Sequence, residues 1–381
     1  MPGLGTYRPL LIGLAWLAFA ATVPLARRIP ARVAVPVILA GAVAVPVAAA
    51  FGPPSGSDDV YRYVWDGRVQ AAGINPYRYP PASTELVFLR DPGLWPAHET
   101  AWCVTSDDPS SDERLVPGCT LINRPAVPTI YPPVAQAYFF VVHVLSPAGA
   151  LARPFQLAGV AVAIATTLLL LLAAQRRGAD VRMVIAWAWC PAVALEAANN
   201  AHVDAVAVAL AAAALVVLSR RHSAQPAGAE SASKAAATTA AGGALLGLAI
   251  ATKVTPVLLL PALVRRRPLL VVATAIGTVA AAYGPHLLTV GPDVIGYLPG
   301  YVQEEGYASG SRFGLLTLLV PERWAGLLAV VVLAAVAVAV ARTTDADRPW
   351  LGGATMTGAA LLVATPAYAG PSHLSGVSMR D

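Results

Sequence analysis

The sequence predicts an all-α, polytopic integral membrane protein with about ten membrane helices, including a short hairpin. Of its 381 residues, 57% are hydrophobic and only 12% are charged, about half the charged fraction of a soluble domain. The mean hydropathy is +0.62. Apolar segments follow one another with short breaks, which predicts a single transmembrane domain over residues 1–381. The net charge of +5 then reports on membrane orientation and does not indicate a nucleic-acid partner.

Eight segments have the length and apolar character that a membrane span requires, about 20 residues. The first could be a signal peptide, but Arg27 and Arg28 follow it without a small-residue cleavage site, so we interpret it as a retained span. The segments are 9–27, 31–52, 154–175, 183–198, 203–219, 269–290, 322–342 and 349–366.

Two further apolar stretches are placed by the arginines that flank the spans. Residues 130–149 are opened by Pro-Pro and closed by Ser-Pro, and residues 239–264 are interrupted by Lys253. If all the arginine clusters are cytoplasmic, residues 130–149 enter and leave from the outer side or lie in the interface. The stretch 239–264 then forms a short hairpin, with arms 239–252 and 254–264. The clusters are 27–28, 176–177 with 182, 220–221, 265–267, and 342 with 348.

This topology brings the unusual polar residues to the outer face of a cell (plasma or inner) membrane. Residues 53–129 become an extracytoplasmic loop with short interfacial helices, and residues 220–238 become a flexible cytoplasmic linker. Cys103 and Cys119 share the outer loop, where they could pair or remain free.

The segment SDDVYRYVWDG (57–67) places two adjacent acids directly after a span. One interpretation is a surface helix that is capped by Ser57, carries acids in its first turn and ends at Gly73. The other is catalytic: Asp58 and Asp59 at the membrane interface suit general base chemistry, because partial burial and a like-charged neighbour favour proton uptake by one of them.

The polar segment between two spans, WCPAVALEAANNAHVDAVAVAL (189–210), is a second candidate region. Ionisable residues at the edge of a membrane segment indicate function, although a plain polar turn capped by Asn and Asp is the alternative. His202 and Asp204 are two residues apart and do not share a helix face, so they do not predict a metal pair. No other metal-ligand spacing occurs in the chain, and no metal site is predicted.

Two single residues stand out in apolar surroundings. Lys253 is a lone ammonium in GLAIATKVTPVLLLP. It requires a partner such as an anionic head group, unless it extends to the interface from the end of a span. Gln136 lies in TIYPPVAQAYF (129–139), where a proline-opened interfacial helix explains the prolines but not the glutamine.

Four segments together resemble the GT-C glycosyltransferases, multi-span enzymes that use polyprenyl-phosphate sugars. The similarity points in particular to bacterial polyprenyl-phosphomannose-dependent α-mannosyltransferases. In order, the segments occupy most of residues 31–268. They are SDDVYRYVWDGRVQAAGINPYRYPP, TIYPPVAQ, NNAHVDAVAVAL and LAIATKVTPVLLLPALVRRRP.

The resemblance implies an inverting transfer of a sugar, mannose in the similar enzymes, to a lipid-linked glycan acceptor. Asp58 or Asp59 would be the base that deprotonates the acceptor hydroxyl. The family's acid is usually the first of its pair, which favours Asp58. Lys253 would lie near the donor phosphate, with Asp204 as a second outer-face acid. The resemblance names no certain cofactor, and dependence on a divalent metal stays open. Further candidate substrate-binding residues are Arg62, Asp66, Arg68, Asn75, Tyr77, Tyr131, Gln136, His202 and Arg312, of which the arginines are candidates for the phosphate.

Two features depart from the family pattern. The span 9–27 precedes what the family has as its first helix. LLVATPAY (361–368) is similar to the start of the family's TP-x-Y-P-W-Y helix, but polar AGPSHLSGVSMRD follows it, an ending expected of a truncated chain. An inactive, truncated remnant of the enzyme is therefore one alternative.

A transporter or flippase for a lipid-linked solute is the other alternative. Such a protein should carry its charges near the bilayer midplane within inverted repeats. Here the charges collect on one face beside a long loop, and the sequence has no evident repeat.

Overall fold

The computed structural model describes residues 8–95, 120–219, 229–264 and 267–366. Within these ranges the chain is all-helical and contains no strand. The predicted pairing of Cys103 with Cys119 lies outside them. The helices are α1 (Arg8–Ala26), α2 (Ala31–Ala50), α3 (Asp59–Ala71), α4 (Pro133–Val144), α5 (Ala152–Arg177), α6 (Ile185–Ala188), α7 (Asp204–Leu218), α8 (Ala229–Ile250), α9 (Leu260–Leu263), α10 (Pro268–Val290), α11 (Leu298–Glu304), α12 (Gly314–Thr317), α13 (Glu322–Thr343) and α14 (Pro349–Val363).

Four helical stretches of the described chain are long and apolar enough to cross a membrane: 32–50, 152–177, 268–304 and 322–343. A fifth is reached if the pair 181–188 and 193–199, bent by 57°, forms one broken span. Helices α1, α4 and α7 are apolar but shorter. The predicted count of about ten membrane helices is therefore not confirmed. Large apolar side chains nevertheless face outward, among them Leu269 at 85% and Leu288 at 90% exposure, as expected of a lipid-facing surface.

The polar residues separate to two ends of the helix bundle. At one end, the arginine end, the Arg182 guanidinium donates to the Arg27 carbonyl at 3.0 Å, and Arg177 donates to the Asp347 carbonyl at 3.3 Å. The candidate acids, histidine and lysine collect at the other end, the site end. Helices α2 and α5 run between the two ends. At the site end, Arg153 at the start of α5 donates a hydrogen bond to the Phe51 carbonyl after α2 at 3.1 Å.

Helix α8 corrects the predicted linker. It begins at Ala229, inside the stretch 220–238, because the alanine-rich sequence there has high helix propensity. Residues 220–228 lie outside the described residues. The chain turns after α8 and places Lys253 at the site end. It returns through a short 3-10 helix, Thr255–Leu259, and α9.

Helix α4 does not run the length of the bundle. It has 12 residues, too few for a span, and it packs against α3. Its first turn meets the turn after α8, where the Val134 amide donates to the Ala251 carbonyl at 2.9 Å. The proline-opened stretch therefore lies at the site end.

An aromatic cluster fixes α3 beneath the site. The Tyr63 ring stacks on Phe139 of α4 with centroids 4.3 Å apart, and it meets Tyr131 edge-on at 5.0 Å. Such pairs contribute about 0.5–1.5 kcal/mol each beyond the area they bury. Because Tyr63 lies one turn after Asp59, this packing sets where the acidic start of α3 emerges.

Candidate active site

The acid pair lies at the N-terminus of α3, close to the predicted position. The helix begins at Asp59 with Asp58 as its N-cap residue. The predicted cap, Ser57, therefore stands one position before the observed cap, and its hydroxyl accepts a hydrogen bond from the Asp59 amide at 3.2 Å. Carboxylates here are favoured by the positive end of the helix dipole.

Asp58 and Asp59 share one partner but differ in access. The Asn123 amide donates to Asp58 Oδ1 at 3.0 Å and to Asp59 Oδ1 at 2.5 Å. Asp58 is exposed. The Asp59 side chain is 32% exposed, and its second oxygen lies 3.9 Å from His202 Nε2. Asp59 is therefore the acid that faces the other candidate residues.

His202 is held by a neighbouring glutamate. Its Nδ1 lies 2.9 Å from Glu196 Oε2, a contact in which Nδ1 carries the proton. Its Nε2 is buried and, among the described residues, has no hydrogen-bond partner. The glutamate thus directs the free ring nitrogen towards Asp59, an arrangement that suits a histidine acting beside a base.

Lys253 forms an ion pair with Asp204 at the first turn of α7. The ammonium lies 3.0 Å from Asp204 Oδ2, and the two side chains are 38% and 47% exposed. Asp204 is therefore the partner that a lone lysine in an apolar sequence requires. Because both groups keep access to solvent, Lys253 can also bind an incoming anion.

One cavity of about 170 Å³ is lined by both Asp59 and Lys253. The loop residues Asn123 and Arg124 form another part of its wall, together with Tyr131. Arg124 has a left-handed backbone, with φ 43°, and its guanidinium lies 3.0 Å from Glu304 Oε2. Two carboxylates, Asp59 and Glu305, and two accessible cations, Lys253 and Arg124, therefore surround one small space.

Three of the predicted substrate-binding residues form a buried network instead. Arg62 Nε donates to Asp66 Oδ1 at 3.0 Å, and Gln136 Nε2 donates to Asp66 Oδ2 at 2.8 Å. Thr129 completes the carboxylate's partners at 2.7 Å. Arg62, Asp66 and Gln136 are at most 4% exposed. Both oxygens of Asp66 are therefore occupied by hydrogen bonds within the protein.

Arg62 also shapes the cavity from behind. Its two terminal nitrogens donate to the carbonyls of Arg124, at 3.4 Å, and Val127, at 3.1 Å. These bonds hold the loop that carries Asn123 and Arg124. Arg62 borders the cavity, and each of its three guanidinium nitrogens already donates one hydrogen bond within the protein.

Asn75, Tyr77 and Tyr131 link the first loop to neighbouring segments. The Asn75 amide donates to Thr289 Oγ1 of α10 at 2.6 Å, and the Tyr77 hydroxyl donates to the Tyr131 carbonyl at 2.7 Å. Burial raises the pKa of both tyrosines, so they stay protonated at neutral pH. Of the three, Tyr131 lines the cavity.

The remaining predicted arginines point elsewhere. Arg68 pairs with Asp91 and donates to the Leu89 carbonyl at 3.0 Å. Arg312 donates to Glu305 Oε2 at 2.6 Å, behind the cavity wall that Glu305 forms. Neither arginine lines the cavity with Lys253.

Sequence reasoning missed Asn123 and Arg124, which follow no periodic pattern in the long loop. Only their place between TIYPPVAQ and the acid segment could have suggested them. Among the described residues, no group of three or more His, Cys, Asp or Glu side chains is arranged to hold a metal ion.

Comparison with known families gives one match. Residues 129–366 match the family model described as glycosyltransferase family 87, which is more than half of the chain. No curated protein and no solved structure matches the chain. The matched region contains His202, Asp204 and Lys253, whereas Asp59 precedes it.

Proposed function

The chain belongs to glycosyltransferase family 87, a family of GT-C-type membrane glycosyltransferases, and from this premise we propose a specific transfer. The donor is a polyprenyl-phosphate sugar with mannose as the sugar, and the acceptor is a hydroxyl of a lipid-linked glycan. The observation that carries the proposal is that Asp59 and Lys253 line one cavity. A base for the acceptor thereby lies beside a cation for the donor phosphate.

Asp59 is the proposed general base. Its carboxylate takes the proton of the acceptor hydroxyl while that oxygen bonds to the anomeric carbon. The bond from the anomeric carbon to the phosphate oxygen breaks, polyprenyl phosphate leaves with the electron pair, and the configuration inverts. The resemblance favoured Asp58, but Asp58 is exposed and does not border the cavity. The cavity therefore supports Asp59.

Lys253 and Arg124 are the proposed phosphate ligands. Both carry positive charge on the cavity wall, and cations there stabilise the charge that develops on the leaving phosphate. Each is held by an acid outside the phosphate position, Lys253 by Asp204 and Arg124 by Glu304. The acids limit the motion of the cations while the donor is absent.

The size of the cavity supports a site for the reacting groups alone. Its volume of about 170 Å³ is below the roughly 300–1,000 Å³ of pockets that enclose a whole small ligand. The phosphate and the acceptor hydroxyl would enter it, and the polyprenyl chain would remain among the lipids. The arginine end is the proposed cytoplasmic side, so the cavity would open to the outer face of the cell membrane.

The test supplies membranes containing this chain with radiolabelled polyprenyl-phosphomannose and follows label into glycolipids. The wild type is expected to transfer label, Asp58→Asn to keep most of the rate, and Asp59→Asn to lose nearly all of it. Full activity of Asp59→Asn would rule out the base assignment.

A parallel reaction with polyprenyl-phosphoglucose tests the sugar. Faster transfer of glucose than of mannose would overturn the mannose assignment while leaving the enzyme class intact. Movement of the intact labelled lipid across the membrane without glycolipid product would instead support the transporter alternative.

A further inference from the structure

We propose that Asn199 and Asn200 are positioning residues that hold the segment leading into Asp59. The proposal rests on the proposed function, because it assigns these residues to the placement of the proposed base. Both side chains are buried, at 5% and 3% exposure. A plain polar turn at the membrane surface would leave such amides in water.

Both the oxygen and the nitrogen of the Asn199 side-chain amide bind the segment that leads into α3. Its oxygen accepts from the Ser55 amide at 3.0 Å and from the Ser55 hydroxyl at 2.6 Å. Its nitrogen donates to the carbonyls of Ala49 and Pro53, at 2.9 and 3.0 Å. These four contacts fix the exit of α2 and the first residues of the loop.

Asn200 binds Ser55 and the next residue of the same segment. Its oxygen accepts from the amides of Ser55 and Gly56, at 3.2 and 2.8 Å. Its nitrogen donates to Glu196 Oε2 at 3.1 Å, the same carboxylate oxygen that holds His202. One glutamate thus connects the asparagine contacts to the histidine beside Asp59.

Helix α5 supports the arrangement from below. Gln156, which is buried, donates to the Gly52 carbonyl at 3.0 Å and to the Asn199 carbonyl at 2.8 Å. The backbone between Asn200 and His202 turns through Ala201 in the left-handed region, with φ 55°. The surroundings must hold this uncommon conformation, which supports a built contact between two segments.

The consequence is geometric. Residues 53–56 are fixed against the turn that carries His202 and Asp204, and Asp59 follows three residues after Gly56. A displacement of about 1 Å in a reacting group can lower a rate about 100-fold. Loss of either asparagine should therefore lower kcat without changing the contacts that Lys253 makes with the donor.

Gly56 provides the sharpest variant. A Cβ atom at this position would lie 2.6 Å from Asn200 Nδ2, so Gly56→Ala should displace the asparagine. Because coupled residues give non-additive effects, Gly56→Ala should cost much less in an Asn200→Ala background than in the wild type. Gly358→Ala is the control, because an added Cβ there meets no atom within 4 Å.

The experiment measures kcat and the donor KM of the full-length chain in membranes, for each single variant and the double variant. We expect Asn199→Ala, Asn200→Ala and Gly56→Ala to lower kcat by about 10–100-fold with a donor KM within twofold. The double variant should resemble Asn200→Ala alone. Additive losses in the cycle, or a rise in KM in place of a fall in kcat, would overturn the proposal.

Hydrogen exchange at the Ser55 and Gly56 amides gives a second readout that does not require activity. Exchange of the Ser55 amide should accelerate in both asparagine variants, exchange of the Gly56 amide should accelerate in Asn200→Ala, and both should stay unchanged in Gly358→Ala. Unchanged exchange, or faster exchange with full kcat, would refute the positioning role. If Asp59→Asn keeps the wild-type rate, the base assignment fails, while the exchange result still shows whether the asparagines hold the segment.

Discussion

Helix α3 carries two sets of charged side chains that differ in burial and in the number of their partners. At its start, Asp59 is one third exposed and faces His202 across 3.9 Å. Further along, the Arg62 and Asp66 side chains are buried and lie 3.0 Å apart. Thr129 and Gln136 add two hydrogen bonds to Asp66. Two aspartates of one helix, Asp59 and Asp66, therefore differ in how accessible their carboxylates are to a substrate.

The difference shows where chemistry can occur on this helix. A buried carboxylate with all its partners in place is costly to disturb and has no capacity for a substrate. A carboxylate that is partly exposed and lines a cavity, as Asp59 does, can contact a substrate hydroxyl without loss of a buried hydrogen bond. We therefore expect substitution of Asp59 to change mainly the transfer rate, and substitution of Asp66 to change mainly the stability.

The largest expected effect is on the rate at Asp59. Asp59→Asn should lower the transfer rate by about 10²–10⁴-fold, the usual contribution of a general base, while the melting temperature stays close to that of the wild type. Asp59→Glu keeps a carboxylate and should lose less. Initial rates and thermal melting of the purified protein check this. A large fall in melting temperature for Asp59→Asn would erase the contrast with Asp66.

The next effect is on stability at Asp66. Asp66→Ala leaves the Arg62 charge buried and unpaired, and breaking such a pair costs about 3–5 kcal/mol. The measurement is thermal unfolding in detergent, with Asp293→Ala as the control at an exposed acid. Combining Arg62→Met with Asp66→Leu removes both charges and should recover part of the loss. Wild-type melting of Asp66→Ala would contradict the assignment of this network to structure.

A smaller effect is expected at the cation of the cavity. Lys253→Met keeps the length of the side chain but removes its charge, so the donor KM should rise about 10-fold, the effect of losing roughly 1.4 kcal/mol of a charged hydrogen bond. Lys234→Met, at the only other lysine of the chain, is the matched control. An unchanged donor KM in Lys253→Met would remove Lys253 from the phosphate site.

The smallest effect is expected at Arg68. Its partners, Asp91 and the Leu89 carbonyl, lie in the first loop, away from the cavity. Arg68→Gln should therefore leave the donor KM within about twofold, although it removes a hydrogen bond of about 1 kcal/mol from the loop. Donor titrations of the variant measure this. A tenfold rise would restore Arg68 as a phosphate ligand.

The sequence predicted which segments would meet. The arginine pattern placed the acid segment, the turn around His202 and the Lys253 tip together, and the hydrogen bonds among them agree. This prediction succeeds because the charged residues beside each span indicate its orientation, and the orientations together determine which loops lie at the same end.

The roles of single residues were harder to predict. Arg62 and Asp66 occupy the i,i+4 spacing of a helical ion pair, but the sequence does not show which face of α3 is buried. Asn199 and Asn200 lie in the polar segment that was a candidate functional region, with capping as the alternative, but their partner, Ser55, is distant along the chain and was not predicted. Burial and long-range partners come from packing, which a local pattern does not encode.

The contact between Ser55 and Asn199 joins residues 144 positions apart. At the usual rate of synthesis, about 5–20 residues per second, Ser55 emerges from the ribosome roughly 7–29 s before its partner. Residues 53–56 and the acid pair that follows must therefore spend this interval without the contacts that hold them in the folded chain. The folded position of Asp59 is thus set after the turn around Asn199 has been made.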